Sequence, residues 1–364
     1  NITVDSVYKQ IKFLIDKKQF RKNLQRNAHK NFLFTNKYSS NLIDDLRTSL
    51  ILKRVNINFN ADKKLKIIYI TNFNERFNGR LHYNTGKRIN NGLIKLGHNV
   101  LTLSDRDIIS NYKSLVDPSG KKILNTKIIE SCKNFNPDII IMGHADNVQT
   151  RTLDYLKNKN KNLKICQWFL DPITRYGPDY TNNKNRLLKS EKFFDASFIT
   201  TDPKSIDFNL SNSFFMPNPA DDSFEILKNY ETNPHNDLFF AMSHGVHRGT
   251  LKTGKDDDRE KLLRKLIINN KEIKFDFYGF EKKQPIWGDD FINTLSNSKM
   301  GLNLSRGKPI KYYSSDRLAQ LMGNGLLTFI DERTCYSDFF TNKEIVTYKN
   351  YNDLVEKILR YKKN

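Results

Sequence analysis

The feature that most constrains this chain is an alternation of short apolar runs with helix-length segments, which starts near Lys64 and then starts again after residue 219. Lys66–Ile70, Asn99–Leu103, Asp138–Met142, Lys164–Leu170 and Ala196–Thr200 read as strands, with Phe214-Phe-Met216 extended. Between them the apolar spacing predicts helices from about Asn84 to Leu96, stopped by Gly97, and near 122–134 and 148–158. Pro217-Asn-Pro219, with Asp221 and Asp222 behind it, breaks both helix and central strand and reads as a linker. Strands Asp237–Met242, Lys274–Tyr278, Met300–Leu304, Leu326–Ile330 and Ile345–Tyr348 follow, separated or followed by helices at 257–269, 289–298, 315–323 and 351–362. Such an order makes βαβ units and mainly parallel sheets. The expected fold class is α/β, with two successive Rossmann-like doubly wound domains. The expected division is a helical extension over 1–60, domains over 61–216 and 217–350, and a C-terminal helix over 351–364. Ligands of such sheets bind at the carboxyl ends of the strands and in the cleft between halves.

The extension is the most basic part of a basic chain. Of the formal net charge of +21, residues 1–60 contribute twelve Lys/Arg against four Asp/Glu. Val7, Ile11, Leu14 and Ile15 recur at helical spacing among Lys9, Lys12, Lys17, Lys18, Arg21 and Lys22, and Leu42, Ile43, Leu46, Leu50 and Ile51 suggest a second helix. Two readings follow: a helical extension with a solvated basic face, or an element that docks on an anionic membrane or a partner. No apolar run approaches the roughly 18–20 residues needed to cross a bilayer. Cys132, Cys166 and Cys335 are far apart and form no CxxC pair, which argues against a disulfide framework or a zinc site and fits a reducing cytoplasm. The excess of Lys, Asn and Ile is what an AT-rich genome produces, so the charge by itself selects no partner.

The most informative stretch is Lys308-Pro-Ile-Lys-Tyr-Tyr-Ser-Ser-Asp-Arg-Leu-Ala-Gln-Leu-Met-Gly-Asn-Gly325. Ser314, Ser315 and Asp316 suit an N-cap, which leaves backbone N–H groups at the positive end of a helix surrounded by Lys308, Lys311 and Arg317. Free amides with cations make a diphosphate site. Gln320, one turn beyond Arg317, is placed to hydrogen-bond ribose hydroxyls.

Arg317-Leu-Ala-Gln-Leu-Met-Gly-Asn-Gly-Leu326 resembles the C-terminal motif of GT-B fold glycosyltransferases, closest to the CgeB-like, spore-maturation-type group 1 families. The resemblance extends upstream through Ile286–Leu304 and, in order and architecture, over residues 64–362. Where the family usually carries a ribose-binding Glu this chain has Gln320, so that contact would be neutral. The resemblance implies a transferase that moves a sugar from a nucleotide-diphosphate donor to an acceptor hydroxyl without a metal or other cofactor. It also implies a C-terminal domain that binds the donor and an N-terminal one that holds the acceptor. Arg248 and Lys252, after the first strand of the second domain, match the family's phosphate-binding Arg and Lys, with Lys255 as a substitute. Backbone around Gly279 to Ile286 would hold the base. The expected donor set is Arg248, Lys252, Gly279, Lys311, Ser315, Asp316, Arg317 and Gln320.

Titratable residues at the strand ends of the first domain supply the candidates for a catalytic base: His82, His144, Asp146 and Asp171. His144, with Asp146 close by, could take a proton from an acceptor hydroxyl. His244 and His247 lack a third ligand nearby, so no metal is expected. Asp256-Asp-Asp258 and Asp105-Arg-Asp107 each fit the D-x-D of the GT-A architecture. The first is more simply a helix start, and the second is read as ending the second strand. The loop after the first strand is not G-x-G-x-x-G, which argues against a dinucleotide cofactor. The expected role is cell-surface glycan or glycolipid synthesis in the cytoplasm, peripheral at the inner membrane face, with a glycan or lipid-linked acceptor and no specific nucleic acid. The alternative is a non-catalytic, basic nucleic-acid- or membrane-binding protein.

Overall fold

The computed structural model describes residues 3–20, 22–23, 64–173, 175, 179–243, 246–247, 250–251, 258–281 and 283–363. The chain divides into two compact units, Asn1–Asp62 and Lys63–Asn364. The described part of the first is essentially α1 (Val4–Asp16), begun by a reciprocal cap between Thr3 and Ser6. The predicted helix around 42–51 lies outside the described residues. None of the described helices is long and apolar enough to cross a membrane.

The second unit holds two parallel sheets. In the first, β1 (Lys66–Thr71), β2 (Asn99–Ser104), β3 (Ile139–Gly143), β4 (Lys164–Phe169), β5 (Ala196–Ile199) and β6 (Ser213–Phe215) take the order β2-β1-β3-β4-β5-β6. The continuous apolar runs follow from burial on both faces, as in any parallel sheet covered by helices. Ile68 and Ile70 point into a core with Leu124, Ile128, Ile140 and Leu153, while Ile67 and Tyr69 pack on the opposite face with Phe73 and Trp168. The covering helices are α2 (Thr85–Lys95), α3 (Asp105–Tyr112), α4 (Lys121–Phe135), α5 (Thr150–Lys159) and α6 (Tyr180–Leu188).

In the second sheet, β7 (Asn236–Ala241), β10 (Phe275–Tyr278), β11 (Ser298–Asn303), β12 (Leu327–Asp331) and β13 (Val346–Tyr348) take the order β10-β7-β11-β12-β13, and β8 (Val246–His247) and β9 (Thr250–Leu251) form a small separate hairpin. Leu238 and Phe240 pack with Leu263 and Leu266 of α7 (Asp258–Asn269) and with Leu354 and Ile358 of α10 (Tyr351–Lys363). Phe239 faces the other way, toward Leu295 at the end of α8 (Gly288–Leu295) and Leu321 of α9 (Arg317–Gly323). In each sheet the first strand lies between the second and third, so strand order reverses there and leaves a crevice at the carboxyl ends of β1/β3 and of β7/β11.

Two features bear on the sequence expectation. Asp105-Arg-Asp107 does not end a strand; it opens α3. Asp107 accepts from the backbone N–H groups of Glu75 and Arg76 (2.9 and 3.2 Å) and pairs with the Arg76 guanidinium (2.6 Å), which consumes it in holding the loop after β1. The Pro217–Pro219 segment leads into a clamped connection rather than a loose one. Glu225 forms a bidentate ion pair with Arg88 of α2, both side chains being 2% exposed, and Asp221 receives Lys95 (2.9 Å) and Asn91 (2.6 Å) from the same helix. Asn324, just past α9, accepts from the Leu227 N–H (3.0 Å).

Candidate active site

The wall contributed by the first sheet is built at the ends of β3 and β4. Past Gly143 the chain turns through His144 in the left-handed region (φ 51°), then Ala145 and Asp146. Past Phe169 it runs to Asp171. Arg186, from the last turn of α6, lies between these two ends with its guanidinium 5.3 Å from the centre of the Phe169 ring. Its Nε donates to Asp146 (3.0 Å), a second nitrogen lies 2.8 Å from the other Asp146 oxygen, Nη1 donates to Asp171 (3.1 Å), and Nη2 lies 2.7 Å from His144 Nδ1. Burial works against the charge on Arg186, but the two carboxylates outweigh it and raise its pKa. Arg106 adds a longer contact to Asp146 (3.4 Å).

The wall from the second sheet gathers on Arg317, the first residue of α9. Its Nε donates to Ala241 O at the end of β7 (3.0 Å), and Nη1 donates to Leu304 O past β11 (3.2 Å) and to Ser315 Oγ (3.0 Å). Ser315 in turn donates to Asn303 Oδ1 (3.2 Å). Arg317 therefore bridges the strand ends where the order of this sheet reverses. Asp316 is the N-cap, without a side-chain capping bond. Gly279 has φ 69°, and a Cβ there would come within 1.7 Å of Met242 O, so its part is to bring the end of β10 against the end of β7.

Between the walls is a cleft of about 990 Å³ lined by Asp146, Asp171 and Arg186 from one side and by Ser243, Arg259, Arg306, Ser315 and Arg317 from the other. A side chamber of about 230 Å³ meets it at Ser243, Asp316 and Arg317. The chamber is lined by Arg80, Tyr83, Pro285, Ile286, Trp287, Phe291 and Gln320. Arg80 Nε and Trp287 Nε1 are buried there and have no hydrogen-bond partner among the described residues, so two donors stand unsatisfied around this chamber. The two halves are latched across the opening by Tyr83, whose hydroxyl donates to Asp289 (2.6 Å), and by an Arg306–Asp179 ion pair (2.9 Å).

Residues 259–364 match a family described as glycosyl transferase-like. This segment contains Arg317, Gln320, Trp287 and the strand ends that carry them. Two Rossmann-like halves, each with its own parallel sheet, face each other across the cleft. Among solved structures, this chain is similar to a putative UDP-N-acetylglucosamine 2-epimerase from Listeria monocytogenes (12% identity over 83% of this chain and 89% of that one, TM-score 0.43). It is similar as well to the T4 phage β-glucosyltransferase (12%, 82% and 89%, TM-score 0.41) and to an α1,3-fucosyltransferase with GDP-fucose (10%, 84% and 81%, TM-score 0.42). No curated protein matches the sequence.

Of the residues singled out from the sequence, the fold brings Asp146, Asp171, Ser315, Asp316, Arg317 and Gln320 to the cleft or its side chamber. His144 lies behind the wall, with Nε2 3.2 Å from the Leu170 N–H and Nδ1 on Arg186, and burial lowers its pKa. Nε2 accepts from the Leu170 N–H, Nδ1 faces Arg186 and Asp171, and the ring lines neither cavity, so it is not placed to take a proton from a hydroxyl, which corrects the expectation. His82 is exposed, packs against Tyr83 and Phe224 (ring centres 5.3 Å apart in each case) and lines neither cavity. Lys311 also lines neither; its ammonium lies 3.7 Å from Asp202 and 4.7 Å from the Tyr312 ring. Gly279 contributes backbone geometry and lines neither cavity. Arg248, Lys252, Lys255 and His244 lie outside the described residues. Among the described residues, no three His, Cys, Asp or Glu side chains converge as metal ligands would.

Sequence reading missed Arg186, Arg80 and the use of Trp287. Arg186 sits in Tyr180–Leu188, whose polar Thr-Asn-Asn-Lys-Asn stretch hides a helix. Its partners are 15, 40 and 42 residues away, so no local spacing announces it.

Proposed function

We propose that this chain transfers a sugar from a nucleoside-diphosphate donor to an acceptor hydroxyl on a glycan or a lipid-linked carrier. The observation that carries this reading is the join between chamber and cleft. A confined, partly aromatic chamber suits a nucleoside. It opens into a larger polar cleft where Ser315, Asp316 and Arg317 meet the strand ends. A diphosphate at that junction would have Arg317 beside it, with Arg259 and Arg306 lining the same cleft. These fixed cations would stabilise the leaving diphosphate without a metal ion. Gln320, in the chamber, is assigned to the ribose.

Asp171 is assigned as the base. It uses Oδ2 for both Arg186 (3.1 Å) and His144 (3.6 Å), whereas both oxygens of Asp146 are taken by arginines. Removal of the acceptor proton by Asp171 as the sugar moves is ordinary general-base chemistry. Arg186 is a positioning residue that holds Asp171 at the cleft. The N-terminal unit is proposed to dock on an anionic membrane. This is supported by α1, where Val7, Tyr8, Phe13 and Ile15 are exposed among the lysines.

The test is nucleoside-diphosphate release from a set of UDP-, GDP-, ADP- and CDP-linked sugars, with and without chelator. One donor is expected to turn over undiminished by chelator. Absence of turnover with every donor and acceptor, or complete loss of turnover on chelation, would contradict the proposal.

A further inference from the structure

The loop joining α3 to α4 carries two aliphatic side chains that the fold does not use. Leu115 is 100% exposed and Val116 85% exposed, and Tyr112 and Ile123 beside them are exposed as well. Single exposed apolar residues need no explanation, but an adjacent pair with two apolar flanks is a patch. The loop that presents them is built firmly. Ser114 N–H donates to Asp117 O (3.2 Å) and Gly120 N–H to the same oxygen (3.0 Å). The Asp117 carboxylate accepts from Ser119 Oγ and from the Ile123 N–H (3.0 Å each), which holds its pKa below the usual carboxylate value. Gly120 takes φ 65° against the backbone of Ile109, where a Cβ would lie 2.8 Å from Ile109 O.

The charge around the tip is one-sided. Residues 112–127 contain Lys113, Lys121, Lys122 and Lys127 against the single acid Asp117, and all four lysines are exposed. Lys127 lies 4.8 Å from the Tyr112 ring. The tip also lies at the end of the sheet that opens on the cleft. The first turn of α4 is bonded to the segment that follows Asp146: Asn125 Nδ2 donates to Asn147 O (3.2 Å) and its Oδ1 accepts from the Gln149 N–H (2.8 Å).

We infer that the 112–123 loop is a membrane-contact element, in which Leu115 and Val116 enter the interfacial region of an anionic bilayer while the surrounding lysines meet lipid phosphates. A convex tip with two aliphatic side chains offers far less than the roughly 800 Å² per partner of a stable protein interface, and lysine is depleted from such interfaces. Shallow insertion of apolar side chains inside a basic collar is what an anionic lipid surface accepts. The inference goes beyond sugar transfer, which could stand whether or not this loop touches lipid. It adds a second contact, on the catalytic unit itself, to the one proposed for the N-terminal unit. A membrane-borne acceptor would then be delivered at the cleft end of the first sheet.

The test uses the full chain and sedimentation with vesicles of phosphatidylcholine alone or with equimolar phosphatidylglycerol. Binding is expected only with the anionic lipid. The double variant Leu115→Ser/Val116→Ser should partition at least about tenfold less. Lys121→Glu/Lys122→Glu should lose about fivefold or more per lysine. All variants should melt as the parent does and bind nucleoside diphosphate unchanged, which separates this inference from the catalytic reading. Because the N-terminal unit could bind vesicles alone, Leu115→Trp supplies a local readout, and its added fluorescence should be quenched by brominated lipid. Unquenched fluorescence with unchanged binding of the double variant would overturn the inference. So would concentration-dependent self-association that is lost in the double variant while vesicle binding persists, which would make the loop a protein contact.

Discussion

Two arginines hold the two walls of the cleft, and they do so with different partners. Arg186 in the first half is gripped by the carboxylates of Asp146 and Asp171, whereas Arg317 in the second donates to the carbonyls of Ala241 and Leu304 and to Ser315. An arginine among acids fixes where those acids sit. An arginine on strand-end carbonyls fixes where strands and helix meet. The first wall is thus a prearranged set of titratable groups, and the second a shaped seat beside a partly aromatic chamber. Under the proposed function, the contrast gives proton transfer to one half and donor recognition to the other.

The sharpest way to break that division is to alter each wall and see which parameter moves. Asp171→Asn is expected to lower kcat by about 10²–10⁴ while donor affinity holds, as measured by steady-state transfer and by titration with nucleoside diphosphate. An equal loss of donor affinity would merge the two roles. The next effect concerns the clamp between halves. Arg88→Leu leaves Glu225 buried and unpaired, and loss of one partner from such a pair costs about 3–5 kcal/mol, read as a lower denaturant midpoint. Restoration of the midpoint by the double variant with Glu225→Leu would show that the cost is the stranded charge.

A smaller effect is expected in the second wall. Trp287→Ala should weaken nucleoside-diphosphate binding about tenfold with kcat nearly unchanged at saturating donor. Asp105 is the smallest and most local case. It is fully buried, and burial outweighs the Arg106 backbone N–H and the Asn147 side chain beside it and pushes its pKa up to about 6. A carboxyl raised in the folded state contributes its full stability below its ordinary value of 3.8, and that contribution is lost as pH rises through about 6. Asp105→Asn should therefore raise Tm relative to the parent at pH 7.5 and change it little at pH 4. An unchanged difference at the two pH values would contradict this.

The strands were legible in the sequence because a strand buried on both faces must be apolar along its length, as Ile67–Ile70 and Leu238–Phe240 are. The second wall was largely legible too. Ser315, Asp316, Arg317 and Gln320 lie within six residues, and a helix N-terminus with a cation is a local pattern. The first wall was not. His144 and Asp146 looked like a base and its partner, but an arginine from a helix without apolar periodicity inserts between β3 and β4 and takes both. The Asp105–Asp107 pair misled for the same reason, since its use depends on the loop after β1 folding back onto it. Contacts that join segments 30–40 residues apart leave no spacing to read.

The central claim, that the chamber and cleft together take a nucleoside-diphosphate sugar, is tested most directly by calorimetric titration of the full chain with UDP, GDP, ADP and CDP in the presence of chelator. One of them is expected to bind at a single site and to bind about tenfold more weakly to Trp287→Ala. No binding by any of the four, or equal binding to the parent and to Trp287→Ala, would contradict it.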